Sequence, residues 1–163
     1  MKTIFKTITL LLITILTHSC NNDSDSSTST TNDNFIRAVI DGVSYEATGA
    51  GLHGSLDENG FDLDSRNSSG TGMDFFIIGD VPVGTYSFSS SNVTTQGRLN
   101  YRLSGENFSS GFCSVSNGIL TITSINGKTV EGTFSFTGSS MSEPCLNPST
   151  KSVTEGSFKI TAL

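Results

Sequence analysis

The sequence has no tryptophan, only three prolines and three cysteines, and few of the residues that build helices. Leu, Ala and Lys are sparse, and no segment keeps the three-and-four apolar spacing of an amphipathic helix. The longest apolar run, residues 8–16, covers nine residues, whereas a membrane-spanning helix needs about 20. We therefore expect neither a helical fold nor a membrane-spanning helix.

Positive charge is also scarce, because nine Lys and Arg stand against fifteen Asp and Glu, for a formal net charge of −6. Lys2 and Lys6 lie at the extreme N-terminus, so the remainder of the chain is more acidic still. A nucleic-acid-binding domain needs a basic patch, and electrostatic docking on anionic lipid needs clustered Lys and Arg. The composition argues against both, and solubility alone accounts for the acidity.

Residues 1–19 have the composition of a secretory signal peptide: a basic start, a short apolar core and a small residue, Ser19, at the end. The next residue is Cys20, and a cysteine directly after a small residue resembles the lipobox of bacterial lipoproteins. That resemblance implies that Cys20 becomes the first mature residue and carries fatty acyl chains such as palmitate. The mature protein would then be an outer-membrane lipoprotein, at the cell surface or on the periplasmic face.

Residues 20–34 consist almost entirely of Asn, Asp, Ser and Thr. They offer nothing apolar to bury, so we predict a disordered tether with a reach of about 20 Å. Residues 35–163 are then predicted to form a single domain.

This domain has the pattern of an all-β protein, in which short segments with alternating apolar residues are separated by Asp-Gly and Asn-Gly turns. About ten short antiparallel strands predict a β-sandwich or a closed β-barrel, and periodicity does not distinguish them. Residues 73–79, apolar on both faces, predict a central strand buried on two sides. Residues 66–72 and 139–150 are the longest predicted loops, and we predict that they form the contact surface. The predicted strands are 35–41, 43–48, 49–56, 61–65, 73–79, 85–89, 98–103, 111–116, 119–125, 129–137 and 153–163.

Two cysteines remain in the mature chain, Cys113 and Cys145. Export to an oxidising compartment favours a disulfide between them, with two separate buried thiols as the alternative. Metal binding would need more ligands, and the spacing of His53 from the cysteines suggests no site. We therefore predict no metal site.

The sequence does not contain a convincing catalytic motif. Residues 49–54 match Gly-x-Gly-x-x-Gly, but no helix is predicted after them, so a glycine-rich strand or bulge is favoured over a dinucleotide site. His53 is the single histidine of the mature chain, and nothing places a serine nucleophile beside it. We predict no catalytic residues and no cofactor.

The acidic run 57–64 and two arginines supply weak ligand candidates: Asp57, Asp62, Asp64, Arg98 and Arg102. Calcium needs six to eight oxygen ligands, but the EF-hand spacing is missing, so a hairpin with a solvated face is favoured. The two arginines could bind an anionic ligand if both project from the outer face of the sheet. A solvated face without a ligand is again the favoured interpretation.

Four motifs in fixed order resemble a domain of unknown function found in Bacteroidetes lipoproteins, over residues 35–163. The resemblance implies an envelope lipoprotein without known catalytic residues, and the acidic stretch after Cys20 resembles a surface-export signal. The motifs are Pro82-Val83-Gly84-Thr85-Tyr86, Gly118-Ile119-Leu120-Thr121-Ile122-Thr123, Gly132-Thr133-Phe134-Ser135-Phe136 and Glu155-Gly156-Ser157-Phe158.

Two functions follow as expectations. The first is a non-enzymatic binding or envelope-assembly module, held to the membrane by its lipid and contacting an unknown protein or glycan, but not nucleic acid. The alternative is a carboxylate-dependent hydrolase acting on an extracellular or periplasmic substrate. The hydrolase requires that acids converge in one pocket, the candidates being Asp57, Asp62, Asp64, Asp74 and Glu106.

Overall fold

The computed structural model describes residues 33–91 and 96–163, in which eleven strands form one antiparallel sheet. The predicted signal peptide, Cys20 and nearly all of the predicted tether lie outside the described residues. Within them, no helix has the length and apolar character needed to cross a membrane. The strands are β1 Phe35–Ile40, β2 Val43–Thr48, β3 His53–Asp57, β4 Gly60–Asp64, β5 Gly72–Ile78, β6 Gly84–Ser89, β7 Gly97–Leu103, β8 Glu106–Ser109, β9 Asn117–Asn126, β10 Thr129–Ser140 and β11 Thr150–Thr161.

The sheet branches at β10. Its main path runs β2-β1-β11-β10-β8-β7-β5-β4-β3, while β9 pairs with the first part of β10 and carries β6 on its other edge. Residues 129–137 of β10 pair with β9, and Ser139 and Ser140 pair with β8, so Gly138 marks the branch point. The all-β antiparallel prediction is confirmed. The sheet is one strongly curled half-barrel, however, and is not clearly the sandwich or the closed barrel that the sequence suggested.

Irregular pairing in β11 accompanies the curl. The register against β1 shifts between Arg37 and Val39, and the register against β10 shifts between Phe134 and Phe136. Both shifts fall beside Glu155, which has a φ of 54° in mid-strand. An extra residue on one strand bends it and increases its twist. Alternation of apolar residues does not reveal such a bulge in advance.

Phenylalanine rings fill the concave side of the half-barrel. The Phe75 and Phe134 ring centroids lie 4.6 Å apart, and those of Phe61 and Phe158 lie 5.8 Å apart. All four side chains are buried. Because aromatic side chains bury large areas and pack edge-to-face or offset, this cluster forms the centre of the core in the absence of tryptophan.

Two glycines create the space for these rings. Gly132 lies directly opposite Phe158, and Gly156 lies directly opposite Phe134. A Cβ on Gly132 would lie 2.7 Å from Phe158 Cε1, and one on Gly156 would lie 2.5 Å from Phe134 Cδ2. The Gly132–Phe136 and Glu155–Phe158 motifs therefore encode reciprocal glycine–phenylalanine pairs of the core.

Three sequence expectations about strands were wrong. Residues 111–116 do not form a strand, and β8 at Glu106–Ser109 was not predicted. Ser116 explains the first error, since its hydroxyl accepts the Cys113 N–H at 3.0 Å and donates to the Cys113 carbonyl at 2.7 Å, which closes a turn. The third error is β5: Phe75 is fully buried, but Ile78 is 58% exposed, so the strand is not buried on both faces.

The ends of the last hairpin are more ordered than predicted. β10 continues to Ser140 and β11 starts at Thr150, so the connecting loop is 141–149 instead of 139–150. Beyond β11, the Ala162 N–H donates to the Lys128 carbonyl at 2.9 Å and the Leu163 N–H donates to the Gly54 carbonyl at 3.1 Å. The predicted pairing of the C-terminus is confirmed.

Candidate functional site

The disulfide loop, residues 141–149, is fixed at several points. Cys145 is bonded to Cys113 with a Cα–Cα distance of 5.3 Å, which confirms the predicted disulfide. At its base, the Ser140 N–H donates to the Ser149 carbonyl at 2.9 Å. Glu143 accepts hydrogen bonds from the backbone and the hydroxyl of Ser149. The loop is therefore closed by hydrogen bonds and attached covalently to the turn that contains Cys113.

Apolar side chains are exposed around this disulfide. Leu146, next to Cys145, is 95% exposed, and Val115, two residues after Cys113, is 51% exposed. Met141 at the loop base is 38% exposed. The disulfide brings the segments that carry Val115 and Leu146 into one loop cluster. Exposed apolar side chains held on a rigid frame are typical of contact surfaces. The lack of strand alternation predicts a loop here, but nothing in the sequence indicates that Leu146 would be the exposed residue.

The other predicted contact loop, 66–72, corresponds to residues 65–71 between β4 and β5, and this segment is held together by its own polar groups. The Asn67 Oδ1 accepts from the backbone N–H groups of Ser69 and Thr71, both at 3.0 Å. The Ser65 hydroxyl accepts the Met73 N–H at 2.9 Å and donates to the Met73 carbonyl at 3.0 Å. These side chains close the loop and present no apolar contact surface.

Carboxylates and arginines neutralise each other on the outer face of β4, β5 and β7. Asp64 and Asp74 lie directly opposite each other. Arg66 binds Asp64, and the Arg102 Nε donates to Asp74 Oδ1 at 2.6 Å. Burial disfavours ionisation of Asp64, but the hydrogen bonds from Arg66 prevail and lower its pKa. Asn100 donates to the other Asp74 oxygen at 2.7 Å.

Asp62 differs from its two neighbours because no cation of the described chain forms an ion pair with it. Partial desolvation, together with the negative charges of Asp64 and Asp74, raises its pKa. Asp62 and Asp57 line one shallow depression of about 220 Å³ beside Phe76. The depression is open and the Asp57 carboxylate is used within the hairpin, where it accepts the Asn59 N–H at 2.7 Å.

The five candidate acids do not converge in one pocket. Glu106 lies on β8, and its Oε1 accepts the Ser140 hydroxyl at 2.8 Å, apart from the depression that holds Asp57 and Asp62. Across residues 33–91 and 96–163, no three His, Cys, Asp or Glu side chains are grouped so that they could hold a metal ion. The acidic hairpin therefore gains no support as a calcium site.

The glycine-rich segment is followed by a strand. Gly49–Gly51 make one 3-10 turn, and β3 stands where the dinucleotide-binding fingerprint needs the N-terminus of a helix. His53 and Ser55 project from the same side of β3, opposite Asp64 and Asp62 respectively. Asp64 is already bound by Arg66, so it does not orient His53 for base catalysis.

Residues 32–160 match a family described as a domain of unknown function, DUF6252. The chain belongs to this family. No curated protein and no solved structure matches the chain. The family description names no activity and no partner, so the function of this DUF6252 domain has to be argued from its own residues.

The two arginines singled out in the sequence have different surroundings in this DUF6252 domain. Arg102 is paired with Asp74, which leaves it unavailable as a simple anion receptor. Arg98 lies on the same strand, opposite Phe76, and lines a small polar crevice with Ser89, Ser90 and Ser110. Sequence reasoning identified Arg98 but not the crevice, because the wall residues come from three separate segments.

The tyrosines of the DUF6252 domain do not form an exposed platform on which a sugar ring could stack. Tyr101 is 8% exposed and stacks on Phe108. The Tyr45 hydroxyl is hydrogen-bonded to Ser65 Oγ at 3.0 Å, and burial raises the pKa of Tyr45. The Tyr86 hydroxyl donates to the Pro82 carbonyl at 2.5 Å.

Proposed function

We propose that this domain is a non-enzymatic binding module that contacts a protein partner through its disulfide loop. The observation that carries the proposal is Leu146, which is 95% exposed although it is adjacent to the disulfide at Cys145. A leucine in solvent on a covalently fixed loop loses little conformational freedom when a partner covers it. Burial of the side chain contributes roughly 1.5–3 kcal/mol.

The anchor belongs to the same proposal. Ser19-Cys20 and the apolar run 8–16 support lipidation of Cys20 and attachment to the outer membrane. Attachment through the lipid would leave the loops at the ends of the strands free to meet a partner in the envelope. Metabolic labelling with a fatty-acid analogue tests this point, and unchanged labelling of Cys20→Ser would contradict it. Asp23 and Asp25 are the residues to change in a test of surface export.

A photo-crosslinking amino acid placed at position 146 tests the contact surface in cells that express the protein. We expect a discrete crosslinked product from position 146 and none from position 43, where Val43 is also exposed, at 69%, but lies in the strand β2. Equal crosslinking at both positions would show non-specific contact. A crosslink at position 43 alone would move the partner surface to the edge of the sheet.

The carboxylate-dependent hydrolase stays the alternative. It is disfavoured because Glu106 is tied to Ser140, while Asp64 and Asp74 are paired with arginines. Hydrolysis by two carboxylates needs an acid and a base that face one substrate. Turnover of an envelope glycan or peptide that is abolished by Asp62→Asn or Glu106→Gln would overturn the binding proposal.

A further inference from the structure

One arginine of this domain lacks the partner that the others have. The chain contains four arginines. Arg37 pairs with Glu46, Arg66 with Asp64, and Arg102 with Asp74. Among the described residues, no carboxylate forms an ion pair with Arg98. Since a guanidinium stays charged at any physiological pH, Arg98 presents an uncompensated positive charge on an otherwise acidic protein.

Arg98 lines a crevice of about 200 Å³ at the end of β6, where the chain passes close to β7 and to the turn after β8. Two glycines permit this close approach. A Cβ on Gly97 would lie 3.0 Å from the Phe88 ring atom Cε1 on β6, and one on Gly111, whose φ is 72°, would lie 3.1 Å from the Ser89 carbonyl carbon. The close approach of these segments at the crevice therefore depends on glycine at both positions.

Polar groups that can donate hydrogen bonds line this crevice. Ser110 is 1% exposed, and its Oγ accepts the Leu99 N–H at 2.9 Å, which leaves its own proton to donate. Ser90 adds a second hydroxyl at the rim. Arg98 is the charged residue among the described residues that line the crevice, and its guanidinium carries five N–H donors. None of the described residues that line the crevice is a carboxylate, so this lining combines a positively charged residue with hydroxyl donors.

We propose that this crevice binds an oxyanion, namely a phosphate, sulfate or carboxylate group of a small ligand. An arginine fork matches the oxygen spacing of these groups and forms charge-assisted hydrogen bonds with them. A space of about 200 Å³ holds such a group with water, whose share of liquid volume is about 30 Å³ per molecule. The site is separate from the contact made by Leu146, and it stands without the proposed function.

Titration of the purified full-length chain with phosphate, sulfate and acetate at constant ionic strength tests the site. The readout is the NMR signal of the Arg98 Nε–H together with the amide signals of Ser110 and Gly111. We expect a saturable shift with a dissociation constant on the order of 1 mM for at least one of these anions. Saturation by phosphate and sulfate alone identifies a tetrahedral group as the ligand, and saturation by acetate as well extends the site to carboxylates.

Arg98→Gln should weaken the binding at least about tenfold, because hydrogen bonds to a charged group contribute more than neutral ones. Arg37→Gln is the matched control, since it removes the same charge from an exposed pair and should leave the dissociation constant unchanged. Thermal unfolding of both variants establishes that they are folded. Equal weakening in the two variants, or shifts that stay linear with all three anions, would overturn the proposal.

Discussion

The loops 65–71 and 141–149 look alike in the sequence but use their side chains in different ways. Both contain one asparagine and more than one serine, and both lack strand alternation. In the first loop, Asn67 directs its carbonyl oxygen at two backbone N–H groups of the same loop. In the second, the disulfide and Glu143 hold the chain, while Leu146 is 95% exposed.

This difference shows what a covalent link permits in a surface loop. Loop 65–71 is held by the side chains of Ser65 and Asn67 together with backbone hydrogen bonds, so those side chains are not available to a partner. The disulfide loop is restrained through Cys113 and Cys145, and it therefore tolerates an apolar side chain in solvent. A restrained loop with an exposed leucine fits the requirements of a contact site better than a loop saturated with internal hydrogen bonds.

Removal of the disulfide should have the largest effect of these changes on the free energy of unfolding. The double change Cys113→Ala and Cys145→Ala opens a loop with a sequence separation of 32 residues. The loop-entropy relation then predicts a loss of roughly 3–4 kcal/mol in the free energy of unfolding. Urea unfolding of the variant and of the reduced parent measures it. A loss below about 1 kcal/mol in both would mean that hydrogen bonds alone hold the loop.

Leu146→Ser should separate binding from stability. The side chain makes almost no contact with its own domain, so the free energy of unfolding should change by less than about 0.5 kcal/mol. Affinity for the crosslinked partner should fall about tenfold or more, since roughly 1.5–3 kcal/mol of apolar burial is lost. Val43→Ser, at the exposed position 43, is the matched control and should retain full affinity. Loss of affinity in both variants would point to a general rather than a local apolar effect.

Asn67→Ala should loosen the other loop by a smaller amount. The change removes the acceptor for the backbone N–H groups of Ser69 and Thr71, and a loss of about 1–2 kcal/mol is expected. Asn67→Asp keeps an acceptor oxygen at the same place and should therefore retain most of the stability that Asn67→Ala loses. Hydrogen exchange of the Thr71 amide reports the local change. Reduced partner affinity in Asn67→Ala would make loop 65–71 part of the contact surface.

The sequence predicts which side chains of a strand face the core better than it predicts which strands pair with each other. Alternation correctly placed Phe158 and Ile160 of β11, and Ala162 just after it, on the buried side. It did not predict that β10 pairs with both β8 and β9 along one edge, because strand pairing depends on contacts distant in sequence. The half-barrel follows from that branching and from the bulge at Glu155. Neither feature is visible in the alternation of apolar and polar residues along the strands.

The candidate site was predicted only in part, for a related reason. The disulfide was predicted from the number of cysteines and from the expected export, and a loop at 139–150 was predicted from its lack of pattern. The neutralisation of Asp64 and Asp74 by Arg66 and Arg102 was missed, because three of these residues meet only when β4, β5 and β7 are paired. Ser139 and Ser140, assigned to the loop, are fully buried strand residues. Deletion of residues 139–142 would therefore damage the sheet and would not test the loop alone.

Asp62→Asn should have the smallest effect of these changes on the free energy of unfolding. The sign of that effect follows from the raised pKa of Asp62. Partial desolvation and the charges of Asp64 and Asp74 raise the pKa of Asp62 in the folded protein above the unfolded value of 3.8. The folded state therefore binds this proton more tightly than the unfolded state does. The Asp62 contribution to stability is present below pH 3.8 and is lost as the pH rises through the higher folded pKa.

The asparagine variant should consequently be more stable than the parent at pH 7, by a few tenths of a kcal/mol because solvent screens the site. Its advantage should disappear below pH 3.8, where the parent carboxyl is protonated in both states. Glu58→Gln removes one negative charge from the exposed turn of the same hairpin and is the control for net charge. Urea unfolding at pH 7 and below pH 3.8 measures both differences. An advantage that persists at the lower pH would assign the effect to packing of the amide instead of to the carboxylate charge.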